Sequence, residues 1–278
     1  KGNDQVRFEL TYMALGPDLK IIAPWKDPSF ELTSREAAVE YANKKGIPIQ
    51  QSKKKIYSRD RNLWHCSHEG AEIEHPDQRV SDEVWLMTVP PHKAPDKAET
   101  VKIRFSQGNP VAVNGKEMRG EALIEHLNEI GGRHAIGQVV LAENRLVGMK
   151  SRGAYETPGG EILYEAHKSL EQLTLERDTM HFKQQVALRY AELVYFGQWF
   201  HPLRDAMQAF VDHTQRFVTG EATIELYKGR AQAVSCTAEK SLYDPKLASF
   251  AMDGYDVTAA RGFIDLFGLP MKIAAMQK

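Results

Sequence analysis

The feature that most constrains this fold is a change in the order of helical and extended patterns after residue 49. Before it, residues 3–15 carry an imperfect helical pattern, and residues 20–25 form a short apolar run typical of a buried parallel strand. Residues 33–36 open a second helix with capping-box chemistry, and residues 47–49 resume an extended path. This order predicts the last part of a Rossmann-like parallel α/β nucleotide-binding domain, because so short a sheet could not close its own core.

Beyond residue 56 the pattern changes to antiparallel hairpins and long helices. The predicted elements are a hairpin over 101–113 that turns at 107–110, a turn at 114–115, a helix over 121–130 stopped by Gly131-Gly132, a strand over 136–141, helices from 161 to about 217 broken at Gly197 and Pro202, a hairpin over 219–236, and a helix over 257–267. We therefore expect a nucleotide-binding part over 1–50, an α+β domain over 51–261 and a C-terminal tail over 262–278.

The tail is unusually apolar for a chain end. It contains Phe263, Ile264, Leu266, Phe267, Met271, Ile273 and Met276. Leaving such side chains in water is costly, since full burial of each large one is worth about 1.5–3 kcal/mol. We expect the tail to dock on another subunit; the alternative is that it folds back on its own domain.

Composition narrows the class of protein further. The 278 residues include 42% hydrophobic residues, which indicates a folded protein, and the formal net charge of -1 argues against a general polyanion binder. The two cysteines, Cys66 and Cys236, form no metal-ligand pattern and fit a reducing compartment such as the cytoplasm. No apolar run is long enough to span a bilayer.

Polar residues concentrate in four places without an obvious folding reason. These are Asn3, Asp4 and Arg7 at the start of the first helix; Ser58 and Ser67 with Asp60, Asn62 and His65; Glu143-Asn144-Arg145 at a strand end; and the string over 150–160. Asn3 suits a helix N-cap, and Arg7 lies four residues on, on the same face. The strings after residue 52 and over 150–160 are typical of ligand-binding loops. The alternatives are an ordinary capped helix and ordered turns.

Several kinds of chemistry find no matching motif in the sequence. His65 and His68 lack a partner pair at metal-ligand spacing, so we interpret them as polar loop residues and expect no metal site. There is no Gly-x-Ser-x-Gly elbow, GxGxxG or Walker A sequence. What remains is a site for a small zwitterionic ligand, with arginine for its carboxylate and acidic groups for its ammonium.

These polar clusters resemble the argininosuccinate synthase family. The similar segments are KGNDQVRFE at 1–9, IAPW at 22–25, YSRDRNL at 57–63 with Ser67 and Glu69, ENRLVGMKSRG at 143–153, and YETPGG at 155–160. These segments occur in the family's order, and the resemblance as a whole runs from the first residue to near the last.

The resemblance implies an ATP-dependent ligase of arginine biosynthesis. In that reaction the ureido oxygen of citrulline attacks the α-phosphate of ATP and releases pyrophosphate, and the amine of aspartate then displaces AMP. It also implies Mg²⁺ with the ATP, a homotetramer, a cytoplasmic location, and a synthetase and multimerisation role for residues 51–261. No nucleic acid or membrane partner is expected.

The resemblance also implies residue roles. It assigns aspartate binding to Asn3 and Asp4, and citrulline binding to Asn3, Arg7, Ser58, Ser67, Glu143 and Tyr155. Catalysis in such a site is mostly positioning and charge stabilisation, so no general base is assigned.

One departure from the family is large. The Ser- and Gly-rich pyrophosphate loop that precedes the first motif in the family has no counterpart in these residues. We therefore expect this sequence to correspond to the C-terminal portion of the enzyme, and these residues alone to be inactive. The alternative is a non-catalytic citrulline-binding and oligomerisation module.

Overall fold

The computed structural model describes residues 3–49, 57–248, 256 and 258–278. The chain divides into two units, Lys1–Lys240 and Ser241–Lys278. The helices of the first unit are α1 (Asn3–Leu15), α2 (Arg35–Lys44), α3 (Gly120–Arg133), α4 (Pro158–Thr174), α5 (Arg177–Tyr195) and α6 (Pro202–Thr214). Its strands are β1 (Ser58–Arg61), β2 (Cys66–Glu69), β3 (Glu99–Ser106), β4 (Asn109–Val113), β5 (Lys116–Glu117), β6 (Gln138–Asn144), β7 (Lys150–Glu156), β8 (Gly220–Tyr227) and β9 (Arg230–Ala238). The second unit contains α7 (Thr258–Phe267) and α8 (Leu269–Met276).

The described strands form two antiparallel sheets. The four-stranded sheet has the order β1-β2-β7-β6, and the five-stranded sheet has the order β5-β4-β3-β8-β9. Antiparallel sheets can keep one face in water while the other is buried. That property makes the four-stranded sheet suitable for carrying exposed polar groups.

The main core lies between the five-stranded sheet and the helices α3 and α4. On β3, Val101, Ile103 and Phe105 alternate with exposed residues, so one face of the strand points inward. Leu127 of α3 and Leu170 of α4 belong to the same buried cluster. Full burial of such side chains contributes about 1.5–3 kcal/mol each, which makes this core the rigid base of the first unit.

Both predicted helices of residues 3–49 are confirmed, but the two predicted strands are wrong. Ser34 caps α2 by accepting a hydrogen bond from the backbone N–H of Ala37 at 3.1 Å. Residues 20–25 run without strand structure into a 3₁₀ turn at Pro24–Lys26, and Ile22 is 86% exposed. Residues 47–49 are also irregular. A strand needs a paired neighbour for its backbone groups, and none lies within 3–49.

The hairpins at 101–113 and 219–236 are confirmed, with small differences in the turns. The first turn is tighter than predicted, because Gln107 and Gly108 make it with φ of 48° and 78° while Asn109 and Pro110 already belong to β4. The glycines Gly131 and Gly132 do not stop α3, which continues to Arg133. They lie where a Cβ would collide with the Met87 carbonyl or crowd Pro158.

The long helical region after residue 158 is confirmed with one additional break. The predicted interruptions at Gly197 and Pro202 separate α5 from α6. A further break between Thr174 and Arg177 was missed; there, Glu176 caps α5 through hydrogen bonds from Asp178 and Thr179. In the described parts of the chain, no helix is both long and apolar enough to cross a membrane.

Candidate functional site

Four of the predicted site residues lie on one face of the four-stranded sheet. Ser58 is paired with Glu69, Ser67 with Tyr155, and Glu143 with Ser151. Directly opposite residues in an antiparallel pair share a face, and so do alternate residues along a strand. Ser58, Ser67, Tyr155 and Glu143 therefore share the solvated face, and we name it the polar face.

The two segments predicted as ligand-binding loops are strands. The polar string after residue 52 contains β1 and β2, and the string over 150–160 contains β7 and the first turn of α4. The opposite face of these strands is buried through Cys66, His68, Ala154 and Glu156. The side chains are thus held by a regular hydrogen-bonded ladder rather than by loop conformation.

Tyr155 lies close against the strand that carries it. A Cβ built on Gly153 would be 2.5 Å from the Tyr155 hydroxyl and 2.7 Å from its Cζ, so the ring occupies the space that a side chain would take. Burial raises the pKa of Tyr155 to about 12, and the negative charges of Glu143 and Glu69 act in the same direction. The phenol is therefore neutral at physiological pH and available as a hydrogen-bond donor.

Glu143 belongs to a chain of polar contacts across the polar face. Ser151 Oγ donates to Glu143 Oε1 at 3.3 Å, and Arg145 Nε donates to Ser151 Oγ at 2.9 Å. Arg145 Nη2 also pairs with Glu69 Oε2 at 3.1 Å. These contacts orient the carboxylates at the edge of the face and partly balance their charge.

Helix α1 brings two of its predicted site residues, Asn3 and Arg7, against Tyr195 beside the polar face. Asn3 was predicted to cap the helix, but its amide is used differently: Oδ1 accepts from Leu146 N–H at 3.0 Å and Nδ2 donates to the Tyr195 hydroxyl at 2.7 Å. That hydroxyl donates to Glu143 Oε2 at 3.2 Å. Arg7 Nε donates to the Tyr195 carbonyl at 2.8 Å, and the guanidinium lies 4.8 Å from the ring centroid. The predicted common face of Asn3 and Arg7 is confirmed.

Asp4 stands apart from the polar face. Its Oδ1 pairs with Arg7 Nη1 at 2.8 Å, and its side chain is 74% exposed. An exposed pair of this kind contributes little to stability, generally about 0.2–1 kcal/mol. Both partners are therefore available to a ligand at small cost.

The interpretation of His68 as a loop residue is wrong, because it lies on β2 with its side chain fully buried. Cys66, His68 and Glu156 bring their ligand-type atoms within 4.8 Å of one another. These atoms are already engaged: His68 Nδ1 accepts from Arg59 Nε at 3.2 Å, which leaves its Nε2–H to donate to Glu156 at 3.1 Å. The cluster is suited to holding strands together rather than to binding a cation.

Glu156 accepts an unusual number of hydrogen bonds for a buried carboxylate. The backbone N–H groups of Leu86, Met87 and Thr88 donate to it at 2.9–3.1 Å, and Thr88 Oγ1 donates at 2.7 Å. Burial alone would raise the pKa of Glu156, but the hydrogen bonds from His68, Met87, Thr88 and Leu86 lower it below its usual value. A charged Glu156 thus ties β7 to the segment before β3.

Sequence reasoning missed Tyr195. It ends α5 two residues before Gly197, and its contacts with Asn3 and Glu143 join residues 192 and 52 positions apart. A tyrosine inside a long helical pattern gives no sign of such contacts. The nearby glycine at the helix break was the one available indication.

The chain is similar to one family of known proteins along nearly its whole length. The model described as arginosuccinate synthase C-terminal domain matches residues 57–274, and the model described as arginosuccinate synthase N-terminal HUP domain matches residues 1–48. The argininosuccinate synthase of Carboxydothermus hydrogenoformans is 58% identical over 277 residues, covering 99% of this chain and 69% of that protein. The argininosuccinate synthase of Desulforamulus reducens is 56% identical and covers 100% of this chain and 69% of its own length. That of Roseiflexus sp. (strain RS-1) is also 56% identical and covers 99% of this chain and 68% of its own length.

Proposed function

Because the chain belongs to the argininosuccinate synthase family, we propose that the polar face and the start of α1 form the amino-acid site of an ATP-dependent ligase. The enzyme condenses L-citrulline with L-aspartate. The ureido oxygen of citrulline attacks the α-phosphate of ATP, pyrophosphate leaves, and the aspartate amine then displaces AMP to give argininosuccinate. ATP is a substrate here, and we expect it to enter as its Mg²⁺ complex, with the phosphates as the main ligands of the ion.

The citrulline site is proposed on the polar face. The observation that carries this proposal is the register that puts Ser58, Ser67, Tyr155 and Glu143 on one solvated surface. Hydroxyl groups of the two serines and the neutral phenol suit the ureido and carboxylate oxygens of citrulline, and Glu143 suits an ammonium or N–H group. Arg7 adds a guanidinium that can pair with a carboxylate.

The aspartate site is proposed at the first turn of α1, on Asn3 and Asp4. Asn3 is hydrogen-bonded through Tyr195 to Glu143 of the proposed citrulline site. This connection supports neighbouring sites for the two amino acids, as the attack of the aspartate amine on adenylated citrulline requires. No group is assigned as a general base, because orientation and charge stabilisation account for the proposed roles.

We also propose three parts for the enzyme: a nucleotide-binding part over 1–50, a synthetase domain over 51–261, and an oligomerisation tail over 262–278 that helps to hold a homotetramer. The separate family models over 1–48 and 57–274 support a boundary near residue 50. Exposed apolar side chains on α7 and α8 support the role of the tail. The free thiols of Cys66 and Cys236 support a reducing, cytoplasmic setting.

The reaction is tested with the full-length natural protein. Pyrophosphate release from ATP should require citrulline, and argininosuccinate should form when aspartate is added. Glu143→Gln should raise the citrulline KM by about tenfold or more, since a charge-assisted hydrogen bond is lost. Glu129→Gln, whose side chain is 72% exposed, is the matched control and should behave as wild type. Pyrophosphate release that does not depend on citrulline would contradict the proposal.

A further inference from the structure

We infer that Tyr195 is a positioning residue that sets Asn3 and Glu143 in one fixed arrangement, so that the citrulline and aspartate sites are aligned with each other. This inference rests on the proposed function of those two residues. Tyr195 itself is assigned no direct contact with substrate. Its role follows from its contacts with α1 on one side and with β6 on the other.

The hydrogen bonds through the Tyr195 hydroxyl can run in one direction only. Asn3 Oδ1 accepts from Leu146 N–H, so Nδ2 is the atom that faces Tyr195, and an amide nitrogen donates. The single hydroxyl proton of Tyr195 is left for Glu143, whose carboxylate accepts. Asn3, Tyr195 and Glu143 thus form an ordered chain with a single arrangement of donors and acceptors.

The hydroxyl keeps its proton under physiological conditions. Burial raises the pKa of Tyr195, and the charge of Glu143 raises it further, while Arg7 and the hydrogen bond from Asn3 lower it by less. The donor to Glu143 therefore remains a neutral phenol. This fixes the orientation of the carboxylate that is proposed to meet citrulline.

The rest of Tyr195 fixes Arg7. Its backbone carbonyl accepts from Arg7 Nε, and its ring lies beneath the guanidinium. Gly197 allows this approach: its φ is +78°, and a Cβ there would lie 2.6 Å from Arg7 Cα. The end of α5 is therefore built to receive α1 at this point, through contacts that do not depend on the hydroxyl.

Because the hydroxyl and the ring of Tyr195 have separate partners, Tyr195→Phe removes the hydrogen bonds with Asn3 and Glu143 and keeps the contacts with Arg7. In the full-length enzyme we expect this variant to raise the KM values for citrulline and aspartate by about tenfold, since two polar groups of the site lose a partner. The KM for ATP should stay within about twofold of wild type. A general loss of folded protein would not raise the KM values for citrulline and aspartate while leaving the KM for ATP unchanged.

Tyr190→Phe is the matched control. Tyr190 lies on the same helix, and its hydroxyl donates to Gln208 Oε1 at 2.7 Å, away from the polar face. This variant loses one part-buried hydrogen bond between α5 and α6, so it removes a tyrosine hydroxyl from the same helix without changing a partner of Asn3 or Glu143. The KM values of Tyr190→Phe for citrulline, aspartate and ATP should match those of the wild type.

A double-mutant cycle with Asn3→Ala tests the chain itself. If Tyr195 acts through Asn3, the fold-rise in the aspartate KM of the double variant should be clearly smaller than the product of the fold-rises in the two single variants. Three results would each overturn this inference but not the proposed function. The first is a double variant whose rise in aspartate KM equals the product of the two single rises. The others are wild-type KM values in Tyr195→Phe, and a rise in KM in Tyr190→Phe as large as that in Tyr195→Phe. Wild-type protein that shows no citrulline-dependent pyrophosphate release would overturn the proposed function, and this inference with it.

Discussion

Arg7 shows how one side chain can serve both packing and binding. Nε and the guanidinium plane are used by Tyr195, and Nη1 is paired with the exposed Asp4. Replacement by alanine removes the positive charge proposed to meet a citrulline carboxylate. Arg7→Ala should raise the citrulline KM by more than tenfold and also lower kcat, because orientation of the attacking oxygen is lost. Steady-state kinetics of the full-length enzyme would measure both effects.

Arg119→Ala provides the comparison for that variant. The Arg119 side chain is 87% exposed and pairs with Glu121 on the surface, so its kinetics should match wild type. Wild-type kinetics for Arg7→Ala as well would mean that Arg7 serves only to pack α1 against α5.

Gly153 is predicted to control the orientation of Tyr155. In Gly153→Ala the new methyl group would meet three atoms of the Tyr155 side chain at 2.5–2.9 Å, so the ring has to turn away from the strand. We expect the citrulline KM to rise about tenfold as the phenol leaves its place, with the circular dichroism spectrum unchanged. At Gly120 a Cβ meets nothing within 4 Å, which makes Gly120→Ala the control. Normal citrulline kinetics in Gly153→Ala would show that the ring position is unimportant.

Some residues of the candidate site can be found from the sequence and others cannot, for a physical reason. Ser58, Ser67, Glu143 and Tyr155 were predicted because they lie in motifs that can be recognised in sequence order. Their shared face depends on the pairing of β1, β2, β7 and β6, which periodicity alone does not specify.

At the scale of elements, β1, β2 and β7 were mistaken for loops because both faces of these strands carry polar residues. On β2 the solvated side carries Ser67 and the buried side carries His68, and on β7 the buried side carries Glu156. The alternation of apolar and polar residues that indicates a strand is therefore missing. The hairpins β3–β4 and β8–β9 were predicted correctly, since β3 and β8 bury Val101, Ile224 and their alternate neighbours. Their joining into one sheet by the pairing of β3 with β8 was not predicted.

The buried carboxylate of Glu156 should be a major source of stability for this sheet. Glu156→Gln replaces a charged acceptor by an amide that cannot satisfy all the N–H donors around it. We expect the free energy of unfolding at pH 7 to fall by roughly 3–5 kcal/mol, as when one partner of a buried pair is removed. Urea unfolding followed by circular dichroism would measure this change.

The effect should depend on pH in a defined direction. The folded pKa of Glu156 lies below the reference value of 4.5, so its stabilisation is present above that value and is lost as pH falls through the folded pKa. The difference between wild type and Glu156→Gln should therefore narrow below pH 4.5. Glu129→Gln, at an exposed position, should change the unfolding free energy by less than about 0.5 kcal/mol both at pH 7 and below pH 4.5. A difference that stays constant with pH would contradict a charged Glu156.

At the scale of the whole molecule, the second unit exposes more apolar surface than a solvated helix pair would be expected to carry. Phe263 and Phe267 stack at 5.2 Å between ring centroids and are 64% and 74% exposed. Leu266 and Met271 are also exposed on these helices. Large apolar surfaces rimmed by polar residues are typical of protein interfaces. This exposure supports association with further copies of the chain.

Disrupting the stacked phenylalanines should therefore weaken the proposed tetramer. Phe263→Asp combined with Phe267→Asp removes two large apolar contacts, worth roughly 3–6 kcal/mol if both are fully buried in the assembly. Each 1.4 kcal/mol is about a tenfold change in the association constant, so dissociation should be evident at micromolar concentration. Light scattering of the full-length protein should give the mass of four chains for wild type and for Lys272→Asp, a charge change at an exposed position of α8. A monomeric wild type, or a double variant of unchanged mass, would refute this role for the tail.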